Sequence, residues 1–428
     1  MAHFQIKLFT QQKQFSVTDN TFSVPGSSTC TELNDLVNKL LSEDKDESTR
    51  SDFDFLVNDE FIRTSLVDHV ETKGLSSESV IDVEYLQRKQ APELKHSFQQ
   101  PDWISSIKTT EKFIITGSYD CAVTVWDRVT TKQLVSGIGH SEPVKSIAII
   151  NYNSDEKKQK ISFVSTSQDQ HAVIWTYNSS TNQLSSLFCC KGHSKSVECA
   201  ASNEKKSIFA TGSWDSTIKV WSSSVTPEED TQEVINSSKK KFKSGKKSLT
   251  RTAKVTLSGH TEVVSALTWL NENEICSGSW DHTIRIWDID TAVEKSHMRG
   301  MKSILSLDYS HLSRLVVTGN TDRHVRLWDP RSGEGAVVKC NLTSHIGWVT
   351  SVHWAPNDSH TLVSGSLDNC VKMWDTRSPK APLYDLQAHT DKVMSVDWSL
   401  PDIVASGGAD CKVFTFTVNT GAVDNVYG

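Results

Sequence analysis

The stretch Gly278-Ser279-Trp280-Asp281-His282-Thr283-Ile284-Arg285-Ile286-Trp287-Asp288 sets an aspartate six residues ahead of a tryptophan, and the phrase returns along the chain. Ser213-Trp214-Asp215 leads in the same way to Trp221. Looser copies put Asp120 before Trp126, Asp169 before Trp175, Asp322 before Trp328 and Asp368 before Trp374; a seventh puts Asp410 before Phe416. The Asp-to-aromatic spacing is the same in all seven. Self-similarity at a period of roughly 40–50 residues marks a β-propeller, and seven copies predict seven blades.

Each copy reads as a set of short strands. In the copy that opens at His345, Val349, Ser351 and His353 alternate with Thr350, Val352 and Trp354. Leu362-Val363-Ser364-Gly365 follows, then the turn at Asp368, then Val371-Lys372-Met373-Trp374, and Leu383-Tyr384-Asp385-Leu386 as a fourth strand. β-Rich segments separated by turn residues are what a four-stranded antiparallel blade requires. An open ring would leave two bare sheet edges. The pattern Glu93-Leu94-Lys95-His96 matches Asp385-Leu386-Gln387-Ala388-His389, so the segment around 90–94 is expected to supply the outer strand of the seventh blade.

The sets His193, Thr211, Asp215, Trp221; His260, Ser277, Asp281, Trp287; and His345, Ser364, Asp368, Trp374 contain the residue types of a hydrolase triad. Their repetition argues instead for a hydrogen-bonded network in every blade, since buried polar groups need partners. The fifth copy carries Gly300-Met301 where the His belongs, and the seventh carries Phe416 for Trp, so those blades are expected to be less tightly tied. Trp214, Trp280 and Trp348 lie near blade turns. They serve either as contact anchors or as packing, and packing is the simpler expectation.

The chain has 428 residues, with 45 basic and 52 acidic side chains and a net charge of −7. That balance argues against nucleic-acid binding over the whole surface. No apolar run approaches the roughly 20 residues of a membrane span, and the start lacks a secretory signal pattern. The nine cysteines are scattered without a CxxC pair, which fits a reducing cytosol or nucleus. There is no phosphate-binding glycine loop, no metal-ligand cluster and no nucleophile outside the repeats. The expectation is a protein that is not an enzyme, with no cofactor and no intrinsic metal.

Residues 3–86 lack the repeat and form a separate unit ahead of a propeller over 90–420. Phe4, Ile6 and Leu8 alternate as a strand, with Phe15 and Val17 as its expected hairpin partner. Thr29-Cys30-Thr31-Glu32 has capping-box spacing and opens a helix whose apolar face is Leu33, Leu36, Val37, Leu40 and Leu41. Phe53-Asp54-Phe55-Leu56-Val57 and Phe61-Ile62 flank the turn signal Asn58-Asp59. Leu66 and Val70 suit a short helix that Gly74 ends, and Ile81, Val83 and Tyr85 form a last strand. This order is that of a ubiquitin-like β-grasp. Residues 223–254 interrupt the propeller after Trp221. With Lys239, Lys240, Lys241, Lys243, Lys246 and Lys247, then Arg251 and Lys254, they read as a mobile loop on a blade's outer edge, with little that could fill a core. The lysines suit a nuclear-import signal, an rRNA phosphate contact, or a plain solvated charge run.

Trp126-Asp127, Trp287-Asp288, Trp328-Asp329 and Trp374-Asp375, with Gly139-His140, Gly192-His193 and Gly259-His260, resemble the signature dipeptides of the WD-repeat family. Phe53-Asp54-Phe55-Leu56-Val57, Leu66-Val67-Asp68, Gly74-Leu75-Ser76-Ser77-Glu78, Val83-Glu84-Tyr85 and Asp102-Trp103-Ile104-Ser105-Ser106 narrow the likeness. With them, almost the whole chain resembles the WD-repeat ribosome-biogenesis proteins that carry a Notchless-like N-terminal domain. That resemblance implies maturation of large-subunit (60S) pre-rRNA in the nucleolus and nucleoplasm, inside the Pescadillo (PeBoW) complex beside the Pescadillo and block-of-proliferation proteins. It further implies that a Glu of the N-terminal domain completes the Mg²⁺ site of midasin, a giant AAA-type ATPase. Glu78 stands where that residue belongs, and a hard cation takes a carboxylate oxygen readily. A different class of function comes from Trp328-Asp329-Pro330-Arg331 and Trp374-Asp375-Thr376-Arg377. They match the short Trp-Asp-x-Arg box of substrate receptors for cullin-type ubiquitin ligases.

Overall fold

The computed structural model describes residues 3–18, 20–42, 50–58, 60–74, 79–153, 160–203, 205–224, 231–232, 249–332 and 338–419. The chain divides into two compact units, Pro92–Val418 and Met1–Ala91 with Asn419–Gly428.

The smaller unit is a five-stranded sheet with two helices. Strands β1 (His3–Phe9), β2 (Thr21–Pro25), β3 (Phe53–Val57), β4 (Glu60–Phe61) and β5 (Ile81–Gln87) lie in the order β2-β1-β5-β3-β4. β1 and β5 run parallel, with Ile6 opposite Ile81 and Leu8 opposite Val83. Alternation puts Phe4, Ile6, Leu8, Ile81, Val83 and Tyr85 on one face, where they pack with Leu33 and Val37 of α1 (Cys30–Ser42). In the capping box, Glu32 accepts from the Thr29 backbone N–H (2.9 Å), while the Thr29 hydroxyl turns to Thr31 (2.7 Å). α2 (Leu66–Lys73) starts at the Ser65 cap and stops where Gly74 takes φ +63°, a conformation that favours glycine. One expectation is corrected. Lys13–Phe15 is a 3₁₀ turn, and the hairpin partner of β1 is Thr21–Pro25, with Phe4 opposite Val24 and Ile6 opposite Phe22. Phe15 still reaches the core, edge-on to Phe53 at 5.1 Å.

The larger unit is a ring of seven antiparallel blades. Blade four shows the plan: Val264–Trp269, Glu274–Ser279, Thr283–Asp288 and Val293–Arg299, innermost to outermost. The other inner strands are Ile104–Thr109, Val144–Asn153, Val197–Asn203, Ile304–Ser310, Val349–Trp354 and Val393–Leu400. Serine hydroxyls bond across several seams between them: Ile147 N–H to Ser106 (3.0 Å), Val352 N–H to Ser306 (3.1 Å) and Ile107 N–H to Ser395 (3.2 Å). The glycines that follow Ser277 in blade four and Ser406 in blade seven serve the same packing. A Cβ on Gly278 would stand 2.7 Å from Ile304, and one on Gly407 2.6 Å from Ile104, closer than packed carbons tolerate.

The ring closes between blades seven and one. Glu93–Gln99 is the outer strand of blade seven, antiparallel to Lys412–Thr417. This lies three residues further along than the expected 90–94. His96 falls opposite Thr415 in mid-strand, and the position of a blade histidine is taken by Gln100, whose N–H bonds Cys411 O (2.8 Å).

The insertion also departs from expectation at its ends. Leu249–Arg251 adds in parallel to the outer strand of blade two, and Thr231–Gln232 pairs with it, so that sheet has six strands. Arg251 is buried: it donates to the carbonyls of Ser222 (2.7 Å) and Ser224 (2.9 Å) and lies 3.9 Å over the Phe188 ring. A guanidinium is buried only when its charge is hydrogen-bonded, and here two carbonyls and an aromatic face do that.

Candidate functional site

The blade network is a relay of four side chains. In blade four the Trp287 indole N–H donates to Ser277 (2.8 Å), the Ser277 hydroxyl donates to His260 Nε2 (2.7 Å), and His260 Nδ1–H donates to Asp281 (2.8 Å). Backbone N–H groups of Thr261 and Thr283 complete the carboxylate (3.1 and 2.9 Å). Trp221, Thr211, His193 and Asp215 repeat it in blade three at 2.8 Å throughout. Trp374, Ser364, His345 and Asp368 do so in blade six at 2.7, 2.7 and 2.8 Å. Trp175, Ser165, His140 and Asp169 do so in blade two. Burial by itself pushes these carboxyls up. The histidine hydrogen bond, joined by the backbone donors and in blades three and four by a Thr hydroxyl, outweighs it and holds Asp215, Asp281 and Asp368 well below the ordinary carboxylate range.

This is the Ser-His-Asp connectivity of a hydrolase, but the oxygen that would attack is sealed. Thr211, Ser277 and Ser364 are 0% exposed, and each hydroxyl oxygen is already held by an indole N–H. A substrate carbonyl cannot reach it. The relay ties the loop before each inner strand to the turn after the second strand.

Three blades vary the relay. In blade one Gln100 replaces the histidine and donates to Thr116, which also accepts from Trp126 (2.9 Å). In blade five Asp322 is held by Arg326 from its own hairpin (2.9 Å for one of two bonds), and Trp328 still donates to Thr318 (2.9 Å). In blade seven His389 keeps Ser406 (2.8 Å) and Asp410 (3.0 Å), and Phe414 packs edge-on to its ring at 4.6 Å. Only the indole donor is missing there.

The two ends of the central channel differ. At the end away from the Asp turns, Asp397 of blade seven is 0% exposed. It accepts from Lys108 (2.6 Å) and from the N–H and hydroxyl of Thr109 (2.9 and 2.6 Å), all in blade one. Burial works against the charge, but Lys108 outweighs it and holds Asp397 far below the usual range. At the Asp-turn end, backbone bonds repeat from blade to blade: Tyr119 N–H to Trp103 O, Trp214 to Ser196, Trp280 to Val263, and Leu367 to Trp348. Trp103, Trp214, Trp280 and Trp348 are 42, 40, 37 and 52% exposed, whereas the relay tryptophans are buried. Trp214 and Trp280 pack against each other at 5.2 Å with part of each ring open, and Trp348 is the most open of the three. Ile138, Met301 and Ile346 are exposed at the same end.

In both Trp-Asp-x-Arg boxes the arginine closes on its own aspartate: Arg331 on Asp329 (2.8 and 2.7 Å) and Arg377 on Asp375 (2.9 and 2.7 Å). Glu78 and the lysines 239, 240, 241, 243, 246 and 247 lie outside the described residues. Among the described residues there is no helix long and apolar enough to cross a membrane, and no cluster of metal-ligating side chains.

The two units define a class: WD-repeat propellers preceded by a β-grasp module. Family profiles agree. The NLE (NUC135) domain matches residues 4–70, and the WD domain, G-beta repeat, matches 92–127, 184–222, 251–288, 293–329, 337–375 and 380–416. Those segments omit the first three strands of blade two, although its relay is complete. The chain is 41% identical over 423 residues to a ribosome biogenesis protein WDR12 homolog of Ixodes scapularis, covering 97% of this chain and 98% of that one. It is 40% identical over 421 residues to the homolog of Drosophila yakuba (98% and 97% covered). With the Aedes aegypti homolog it shares 39% over 416 residues (97% and 95%). The chain belongs to the WDR12 family of ribosome biogenesis proteins.

Proposed function

We propose that this chain is a non-enzymatic assembly factor for the large (60S) ribosomal subunit, acting in the nucleolus and nucleoplasm on pre-rRNA that yields 28S and 5.8S species. It works within the Pescadillo complex, with the Pescadillo and block-of-proliferation proteins as partners. The observation that carries this reading is likeness over both units at once: 97% of the chain aligns with a ribosome biogenesis protein. Sealed relay hydroxyls support a scaffold over a catalyst. In this reading the smaller unit is the handle for release from the pre-ribosome: Glu78 gives its carboxylate to the metal site of midasin, since a hard divalent cation with an open position binds a carboxylate oxygen strongly. The lysines of the insertion serve nuclear import or touch rRNA phosphate.

Glu78→Ala tests the handle. Co-purification of Pescadillo and the block-of-proliferation protein should stay at the wild-type level, and pull-down of the midasin metal-site domain should be lost. Full midasin binding by the variant removes Glu78 from the proposal. Failure of the wild-type chain to recover Pescadillo or pre-rRNA, with a cullin adaptor captured instead, removes the assembly role.

A further inference from the structure

Four aromatic rings and two charges form one connected arc at the Asp-turn mouth of the channel, from blade one to blade four. Trp103 stands edge-on to Tyr119 at 5.5 Å, and Trp214 edge-on to Trp280 at 5.2 Å. Between the pairs, Lys145 lies 5.4 Å from the centroid of Tyr119 and 3.6 Å from Glu198 Oε2. Glu198 Oε1 accepts from the Trp214 indole (2.7 Å) and the Ser196 hydroxyl (2.7 Å). Tyr119, Lys145, Glu198 and Trp280 also line the channel cavity of about 730 Å³. Half-exposed indoles fixed by such contacts are pre-organised, so a partner need not spend free energy on ordering them.

We propose that this arc docks an extended peptide segment that presents an arginine side chain to the channel mouth. The arc already handles a cation: Lys145 sits over an aromatic face and leans toward a carboxylate. Its 3.6 Å contact is beyond hydrogen-bonding distance, so an incoming guanidinium can take Glu198 Oε2 at shorter range. Arginine suits the place better than lysine because a planar guanidinium stacks on indole and phenol while its N–H groups bond the carboxylate. The surrounding charge has the right sign. Asp102, Asp120 and Glu142 lie near Cys121 in the blade-one turn that follows Tyr119. With burial acting first, these three and Asp169 all raise the Cys121 thiol. The same carboxylates disfavour a nucleic-acid strand, which would stack on the rings but bring phosphates against them.

The test uses the full chain labelled with 5-fluorotryptophan and read by ¹⁹F NMR, signals being assigned by single Trp→Phe variants. The probes are the heptapeptide Gly-Ser-Gly-Arg-Gly-Ser-Gly, its Leu- and Glu-centred analogues, and a uridine hexanucleotide. The Arg peptide should move the Trp103, Trp214 and Trp280 signals and leave the buried relay tryptophans still. Glu198→Gln should weaken that response about fivefold or more, about 1 kcal/mol by the standard conversion, with unmoved relay signals proving the fold. No response at on the order of 10 mM peptide, ample for a millimolar Kd, overturns the proposal. So does an equal response to the Leu or Glu peptide, or a stronger one to the RNA.

Discussion

Asp281 shows what one residue contributes to a blade. Its side chain accepts from an imidazole, from the Thr283 hydroxyl (2.6 Å) and from two backbone N–H groups, and these donors hold its carboxyl below the ordinary range against the pull of burial. An unfolded aspartate titrates near 4. Stability from a depressed carboxylate is complete above that value and is lost as pH falls through the lower, folded one. Asp169, Asp215, Asp322 and Asp368 are depressed too. His389 adds a different window. Burial lowers its folded value and outweighs Asp410, so the unfolded state binds a proton first, and stability starts to fall below about pH 6.5. Hydrogen exchange across a pH series should therefore show loosening of blade seven as pH falls below about 6.5, and a global loss of stability below about pH 4. His389→Gln should abolish the upper phase. Uniform protection of all seven blades down to pH 4 contradicts this account. At this scale the sequence was legible where spacing encodes contact: the constant six-residue step placed the relay aspartate and its tryptophan in blades two, three, four and six. It was not legible where chemistry substitutes for identity. Gln100 does the work of a histidine in blade one, and no spacing rule marks an amide for that role. The turn tryptophans were ambiguous because spacing does not encode how much of a turn ring its neighbours from the next blade cover.

Elements were readable from alternation and caps, and misread where the pattern was short. Phe15 and Val17 look like a strand because they alternate, yet only three residues of 3₁₀ turn form there, and Phe22 and Val24 supply the longer paired segment. The strand Leu249–Arg251 hid for another reason: an arginine in a basic stretch reads as solvated, and nothing local announces the Phe188 ring and two carbonyls that receive it. Arg251→Ala removes two charged hydrogen bonds and the cation over the Phe188 ring. Charged hydrogen bonds of this kind are worth about 1.5–3 kcal/mol, so a loss of about 2–4 kcal/mol in a denaturant titration is expected. Faster amide exchange over Gln183–Lys191 should accompany it. An unchanged midpoint means the added strand is decoration.

The whole molecule depends on closing a circle from two distant stretches of chain. One closure is the strand Glu93–Gln99 on blade seven; the other is Asp397 reaching Lys108 and Thr109 of blade one. Breaking a buried pair by removing one partner strands the other charge, typically at a cost of about 3–5 kcal/mol. Lys108 is half-buried and keeps Asp308 as a neighbour, so Asp397→Ala should lower stability by the low end of that range, about 3 kcal/mol. Lys108→Met with Asp397→Leu should recover much of it, because an apolar pair leaves no stranded charge. If the double variant is as weak as the single one, Asp397 acts through its bonds to Thr109 and not through charge.

The closing strand begins only six residues after β5 ends, with 88–92 between them. From that stretch the chain passes directly into the hydrogen bonds of the outer strand of blade seven. The ladder of Glu93–Gln99 against Lys412–Thr417 is thus the buckle of the belt: a force entering the propeller through 88–92 meets it before any other strand pairing.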